Sequence, residues 1–349
     1  MNNLNKKFWK NKKVFITGHS GFKGTWLVLL LDSLGSKIIG FSKKEKKNIF
    51  FNKMSFSKNI KNIYGDINNF QFLKKVIQKE EPNIIIHMAA RSIVEDGYTH
   101  PLKTLTTNID GTINILEISR SLKKLQSILI VTSDKVYKNN DRKKIFKESD
   151  ILGGDDPYSS SKAAADILSH SYYESFLKFK NIGFGIVRAG NVYGGGDFNL
   201  GRLFPDIMSS IFLNKKLNIR NSQHIRPWQH VLDCISRYLF IVEKIYKKPK
   251  VYSGAWNIGP NKKSSVKVID IVNYFKNNKY KLKFIIKNKL FKEKKYIKLS
   301  TNKFEKEFGK LNELNLNQGI DLTIEWYESY YKKNNIKEIS KKQINKYLS

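Results

Sequence analysis

Cysteine is almost absent from this chain of 349 residues: the single Cys234 excludes an internal disulfide and any cysteine-rich metal site. Long apolar runs are missing as well. The stretch Trp26–Leu31 falls far short of the ~20 residues a membrane span needs, and Val14–Ile16 after the basic N-terminus is too short for a signal-peptide core. Acidic residues are scarce, 30 against 64 basic ones, which leaves a net charge of +34. Such a charge suggests a polyanion or an anionic membrane surface. Arginine, however, accounts for only 8 of the 64 basic residues. A nucleic-acid reader depends on arginine for bidentate phosphate and base contacts, so a coding bias toward lysine explains the charge better. The expectation is a soluble cytoplasmic protein with no nucleic-acid or membrane partner.

What is present is a globular composition, with 40% hydrophobic and 13% aromatic residues and enough length for about two domains. Apolar runs at Val14–Ile16, Lys37–Phe41, Ile60–Tyr64, Ile84–His87, Ile128–Thr132 and Gly183–Val187 read as buried parallel strands. Helical stretches intervene at Thr25–Ser33, Phe70–Lys79, Leu102–Arg120 and Ser159–Phe179. This alternation predicts an α/β fold, a doubly wound parallel sheet whose strand C-termini form a ligand-binding edge. Residues 1–190, with a returning segment at about 230–258, are assigned to a dinucleotide-binding Rossmann domain. Residues 191–229 and 259–349 are assigned to a smaller α+β substrate-binding cap, with helices at Val266–Phe275 and Leu322–Tyr331. The last 89 residues hold 22 lysines and no arginine, and their final dozen is the part least expected to be ordered.

Gly18, Gly21 and Gly24 stand between the first strand and the first helix. Glycine there permits a tight turn, close approach to a pyrophosphate and close helix–strand packing, and the helix N-terminus offers unpaired N–H groups. No acidic residue follows the second strand; Ser42 and Lys43 leave NAD and NADP both open. Asp66 closes the third strand, where it either reaches an adenine or caps the next helix. Tyr158 and Lys162, four apart near a helix start, share one helix face. A tyrosine that removes a hydroxyl proton needs its pKa lowered, and a neighbouring cation can do so. Thr132-Ser133-Asp134-Lys135 puts a hydroxyl, a carboxylate and an amine at a strand end. Ser133 can bond a substrate oxygen, and Asp134 and Lys135 can move protons.

These motifs, with His87-Met88-Ala89-Ala90 and Arg188-Ala189-Gly190-Asn191-Val192-Tyr193-Gly194-Gly195-Gly196-Asp197, resemble the extended short-chain dehydrogenase/reductase family. Gly18–Gly24, Thr132–Lys135 and Ile225-Arg226-Pro227-Trp228-Gln229-His230-Val231 resemble its sugar-nucleotide 4,6-dehydratases, in particular the CDP-glucose branch. The resemblance covers about Val14 to Gly259. It implies that Tyr158 and Lys162 serve oxidation at C4, Asp134 protonates the leaving C6 hydroxyl, and Lys135 takes the C5 proton. Related dehydratases carry Glu where Lys135 stands.

NAD is the implied cofactor, with Gly18, Gly21, Phe22, Lys23, Gly24, Ser42, Asp66, Ile67, Ala89, Ala90, Asn108, Tyr158 and Lys162 around it; no metal is implied. The implied substrate is a nucleotide sugar, whose diphosphate calls for arginine. Arg226 and Arg202, with Asn191, Arg91 and His230, are the substrate-binding expectations, and Arg220 stands near them. Arg91 departs from the glutamine common in the family. His87 reads as a backbone-positioning group. The resemblance also implies a homodimer through a four-helix bundle of Leu102–Arg120 and Ser159–Phe179. A 4-epimerase is the same-fold alternative; it needs Tyr158 and Lys162 but no acid–base pair at Asp134 and Lys135.

Overall fold

The computed structural model describes residues 4–45, 48–140, 143–260, 264–277, 280, 282–287, 294–311 and 313–349. Seven parallel strands form its main sheet: β1 Lys13–Thr17, β2 Lys37–Ser42, β3 Ile60–Tyr64, β4 Ile84–His87, β5 Ser127–Val131, β6 Gly183–Ala189 and β7 Gly254–Ile258. Their order is β7-β6-β5-β4-β1-β2-β3, so the direction of winding reverses between β1 and β4. Six of the seven correspond to the apolar runs in the sequence. The seventh, Gly-Ala-Trp-Asn-Ile, pairs with β6 from Gly254↔Gly185 to Ile258↔Ala189 and carries no uninterrupted apolar signal.

Strand alternation divides the core into two layers. Val14, Ile16, Ile84, Ile86, Leu129, Val131 and Val187 join one apolar cluster, and Phe15, Ile39, Ile85, Ile128, Ile130 and Ile186 join another. Both faces are buried, as a wholly parallel sheet requires. The first cluster also takes in Trp228, Trp326 and Ile344, so residues near both chain ends share one core.

The helices depart from the expected spans in instructive ways. The stretch expected at Leu102–Arg120 is interrupted at Ile109, giving Pro101–Asn108 and Asp110–Ser119. Gly111 just beyond the break packs so closely on Ile67 that a Cβ would lie 2.8 Å from its side chain. Ser159–Phe179 begins earlier, at Pro157–Tyr172, where Asp156 caps the helix and Pro157 occupies its first turn. It ends in a π turn at Tyr173–Leu177. The expected helix Val266–Phe275 starts as a strand, Ser265–Lys267, paired with Ile225–Pro227.

The final dozen residues are not loose. Helix Ile336–Leu348 starts at the Asn335 cap, and Ile344 is 1% exposed. The Trp326 indole donates to Ser340 at 2.9 Å, and the Tyr347 hydroxyl donates to Asp233 at 2.8 Å. Lysine-rich composition hid an apolar stripe that closes the core.

Candidate active site

The turn after β1 has the geometry its glycines foretold. Gly18 has φ +72° and a Cβ on it would meet the Ala89 backbone at 2.9 Å; a Cβ on Gly24 would meet the Gly18 carbonyl at 2.2 Å. Gly21 is the N-cap of helix Phe22–Ser33 and offers no side chain to its N–H groups. The result is an open cradle of backbone donors, suited to a pyrophosphate. Across it, the loop after β4 is pinned by Thr17, whose hydroxyl accepts from the N–H groups of Met88 and Ala89 at 3.1 Å each. His87 bridges Thr17 at 2.7 Å and Thr112 at 3.0 Å, and burial drops its pKa to about 3. It is a neutral strut, in line with its reading as a positioning group.

At the ribose end, Ser42 bonds Ser20 at 2.8 Å, and Asn48 donates to the same Ser20 hydroxyl at 2.8 Å. Asp66 does not cap the following helix; Asn69 does. Asp66 instead pairs with Lys43 at 2.8 Å, and Ile67 beside it is buried against Gly111.

Beyond the cradle opens a cavity of about 320 Å³. Ser133, Asp134, Lys135 and Tyr158 line it together with Phe22, Lys23, Asn191, Arg202, Arg220 and Arg226. Four of the five sequence-predicted catalytic groups thus converge on one space; Lys162 lies outside its lining. Asp134 sits at the start of a 3₁₀ turn after β5, held by Ser133, which donates to its Oδ1 at 3.1 Å. Its Oδ2 is buried with no hydrogen-bond partner among the described residues. Burial therefore raises the Asp134 pKa, more than the Lys135 charge lowers it. Lys135 is half-buried, its backbone N–H donating to Ser133 Oγ at 3.3 Å.

Tyr158 and Lys162 occupy one face of helix Pro157–Tyr172. The Lys162 amine donates to the Val131 carbonyl at 2.8 Å. Burial, with the charge of Lys23 adding to it, lowers its pKa to about 7. The tyrosine behaves opposite to expectation: burial pushes Tyr158 up to about 12, and Ser133 draws it only partly back. A lysine that is itself short of charge near neutral pH is a weak source of depression for a buried phenol.

Not every predicted residue reaches the cavity. Asn108 bonds both backbone groups of Arg91, accepting at 2.8 Å and donating at 3.1 Å, and donates to Ser161 at 2.8 Å. It staples the loop after β4 to helix Pro157–Tyr172. Arg91 turns to Asp96 at 3.0 Å. His230 caps helix Val231–Lys247 through Leu232 and packs on Tyr193, outside the cavity wall.

The arginines are tethered. Arg202 pairs with Asp197 at 2.9 Å and donates to Ser92 at 2.8 Å; Arg220 pairs with Glu95 at 3.2 Å. Arg226 donates to the carbonyls of Ile225 and Lys295 at 3.0 and 3.2 Å. Sequence reasoning missed the Ser92–Glu95 wall, together with Asn218, Asn221 and His224. These residues lie on separate segments, Glu95 in helix Val94–Thr99 and Asn218 in strand Leu217–Arg220, with no local motif to unite them.

Residues 15–322 match the family described as GDP-mannose 4,6 dehydratase. The CDP-glucose 4,6-dehydratase of Salmonella typhimurium is 32% identical over 366 residues, spanning 99% of each chain. The chain belongs to this dehydratase family. A more distant relative, the dTDP-D-glucose 4,6-dehydratase of Homo sapiens, is 29% identical over 262 residues, 73% of this chain and 71% of the human one.

Solved structures share the dehydratase fold. The dTDP-glucose 4,6-dehydratase from Bacillus anthracis, in complex with NAD, superposes with a TM-score of 0.75 at 24% identity, covering 91% of this chain and 97% of that one. The UDP-glucose 4-epimerase from Thermotoga maritima, with UDP-glucose, gives 0.79 at 18% identity and covers 91% and 99%. The fold therefore houses both reactions, and the side chains must decide between them.

Proposed function

We propose that this dehydratase acts on CDP-glucose with NAD as its recycled cofactor, forming the 4-keto-6-deoxy sugar. The buried Asp134 carboxyl beside Lys135, its Oδ2 without a partner among the described residues, carries the reading. A 4-epimerase has no use for that pair.

The glycine cradle fits a dinucleotide, with Gly18, Gly21, Phe22, Lys23, Gly24, Ala89 and Ala90 around the pyrophosphate and Ser42, Asp66 and Ile67 toward the adenosine. Asp66 already holds Lys43, which supports NAD over a 2′-phosphorylated cofactor. Bound there, NAD would supply a hydride acceptor for C4 and, once reduced, a hydride donor for C6. Tyr158 takes the C4 hydroxyl proton, Lys162 lying one turn along the helix behind it. The resulting ketone acidifies C5, whose proton passes to Lys135. Asp134, whose pKa burial raises, is the proton donor to the departing C6 hydroxyl, which leaves as water. Lys135 then returns a proton to C5, and exchange through solvent removes the proton gained by Tyr158 and restores the one lost by Asp134, so the protein ends the cycle as it began.

Arg202 and Arg226 supply the fork geometry for the diphosphate, and Asn191 lies beside them. Residues 1–190 and about 230–258 hold the cofactor; 191–229 and 259–349 hold the substrate. A homodimer through the paired helices accords with Leu102 (74% exposed) and Ile167 (53%) on the outer surface.

The deciding experiment incubates the protein with NAD and CDP-, dTDP-, GDP- or UDP-hexose and follows loss of water by mass. CDP-glucose is expected to react fastest. No product from any of the four would sink the reading.

A further inference from the structure

One buried polar cluster behind the cavity has no part in the chemistry above. Asp166 lies one turn beyond Lys162 on the same helix, and Arg188 lies in β6. Their ion pair is bidentate: Arg188 donates from Nε to Oδ2 and from its terminal nitrogen to Oδ1, each at 2.8 Å. The remaining guanidinium nitrogen donates to the Tyr137 hydroxyl at 2.8 Å and the Glu148 carbonyl at 2.9 Å. The Thr132 hydroxyl donates to Asp166 Oδ2 at 3.1 Å. The Tyr137 hydroxyl in turn donates to the Asn257 side-chain oxygen in β7 at 2.6 Å.

Thr132 and Tyr137 are the two residues that bracket Ser133–Val136. Both ends of the segment bearing Asp134 and Lys135 are therefore tied to one ion pair. That pair is built on the helix that carries Tyr158 and Lys162. A buried ion pair is a weak device for stability, since apolar replacements often do as well. It does fix geometry, because a fork of parallel hydrogen bonds admits one arrangement. Arginine is rare in this chain, and here it occupies a site that a lysine could not satisfy.

We propose that Asp166 and Arg188 are positioning residues that set the spacing between the elimination pair, Asp134 and Lys135, and the oxidation pair, Tyr158 and Lys162. The inference rests on the dehydratase reading of those four groups. Loosening the ion pair lets the Thr132–Tyr137 segment drift, so water loss suffers more than oxidation at C4, whose Tyr158 and Lys162 sit on the helix and meet the segment through Ser133.

The test compares Arg188→Lys, Thr132→Val and Tyr137→Phe with the parent protein, using CDP-glucose and NAD. Two rates are read: appearance of bound reduced nicotinamide by its near-ultraviolet absorbance, and loss of water by mass. In Arg188→Lys, water loss is expected to fall about a hundredfold, the scale of an ångström-sized misplacement, with KM and the oxidation rate near parental values. Thr132→Val and Tyr137→Phe remove one tether each and keep the ion pair. They are expected to lower water loss about tenfold, reduced cofactor accumulating on the protein. The two milder variants keep the test valid if Arg188→Lys fails to fold. Equal losses in both rates, or parental water loss in both tether variants, would overturn the positioning role while leaving the dehydratase intact. A parent protein inert toward all four nucleotide hexoses would instead overturn the functional reading beneath it.

Discussion

The amine of Lys162 donates to the carbonyl of Val131, the last residue of β5, across 2.8 Å. One hydrogen bond thereby ties the helix that carries Tyr158 to the strand that delivers Ser133, Asp134 and Lys135. The two halves of the proposed chemistry are held by the same lysine.

Lys162 also has a stability signature. Its pKa is about 7 in the fold against 10.5 for a free lysine, so folding disfavours its charged form. The unfolded chain then binds more protons between those values, and stability contributed by this group rises as pH rises through the window. Lys162→Met is expected to melt higher than the parent at pH 6 and to lose that advantage as pH climbs toward 10, while turnover collapses. Thermal melts across pH check it; a uniform drop at every pH would contradict it.

Asp134→Asn and Lys135→Met separate the steps. Each is expected to lower water loss by about 10²- to 10⁴-fold, the usual reach of a general acid or base, with cofactor reduction retained. Mass analysis and absorbance read the two events. Full turnover in both variants would show that neither Asp134 nor Lys135 carries the elimination.

Gly18→Ala should cost both fold and cofactor. At φ +72° with a contact of 2.9 Å to Ala89, the new methyl group has no strain-free place. A destabilisation of about 1–3 kcal/mol is expected. NAD affinity, measured by fluorescence quenching, should fall more than melting temperature alone predicts. Unchanged affinity would remove the turn from the binding site.

Removal of Ile336–Leu348 should expose Trp326 and strip Asp233 of its Tyr347 partner. A lower melting temperature and red-shifted tryptophan emission are expected. Parental emission after truncation would show that the helix is dispensable to the core.

Charge on the outer helices tests assembly. Leu102→Glu with Ile167→Glu places carboxylates on two exposed apolar positions and is expected to give monomers in sedimentation. An unchanged sedimentation coefficient would overturn the proposed homodimer through these helices.

The sheet was readable because buried parallel strands are short and apolar on both faces, as in Ile84–His87. Strand Gly254–Ile258 escaped because its Asn257 is spent on a buried network with Tyr137 and Phe146, a polar use invisible in a local pattern. The glycine turn and the Tyr158–Lys162 pair were legible because their chemistry is set by spacings of a few residues. The arginine tethers were not. Glu95 and Arg220 stand 125 residues apart, and only the closed fold makes them neighbours. The direction of the Tyr158 shift was missed for a related reason: sequence names the neighbouring cation but cannot show how deeply the phenol is buried.

Edge strand β7 reaches the sheet only at Gly254, after the chain has left it at Ala189 and built much of the cavity wall. During synthesis, β6 must therefore wait with an open edge until some sixty further residues have emerged. The main sheet cannot finish forming before the whole stretch between Ala189 and Gly254 exists. A fragment ending near residue 190 would carry an unpaired strand edge and tend to stick to itself.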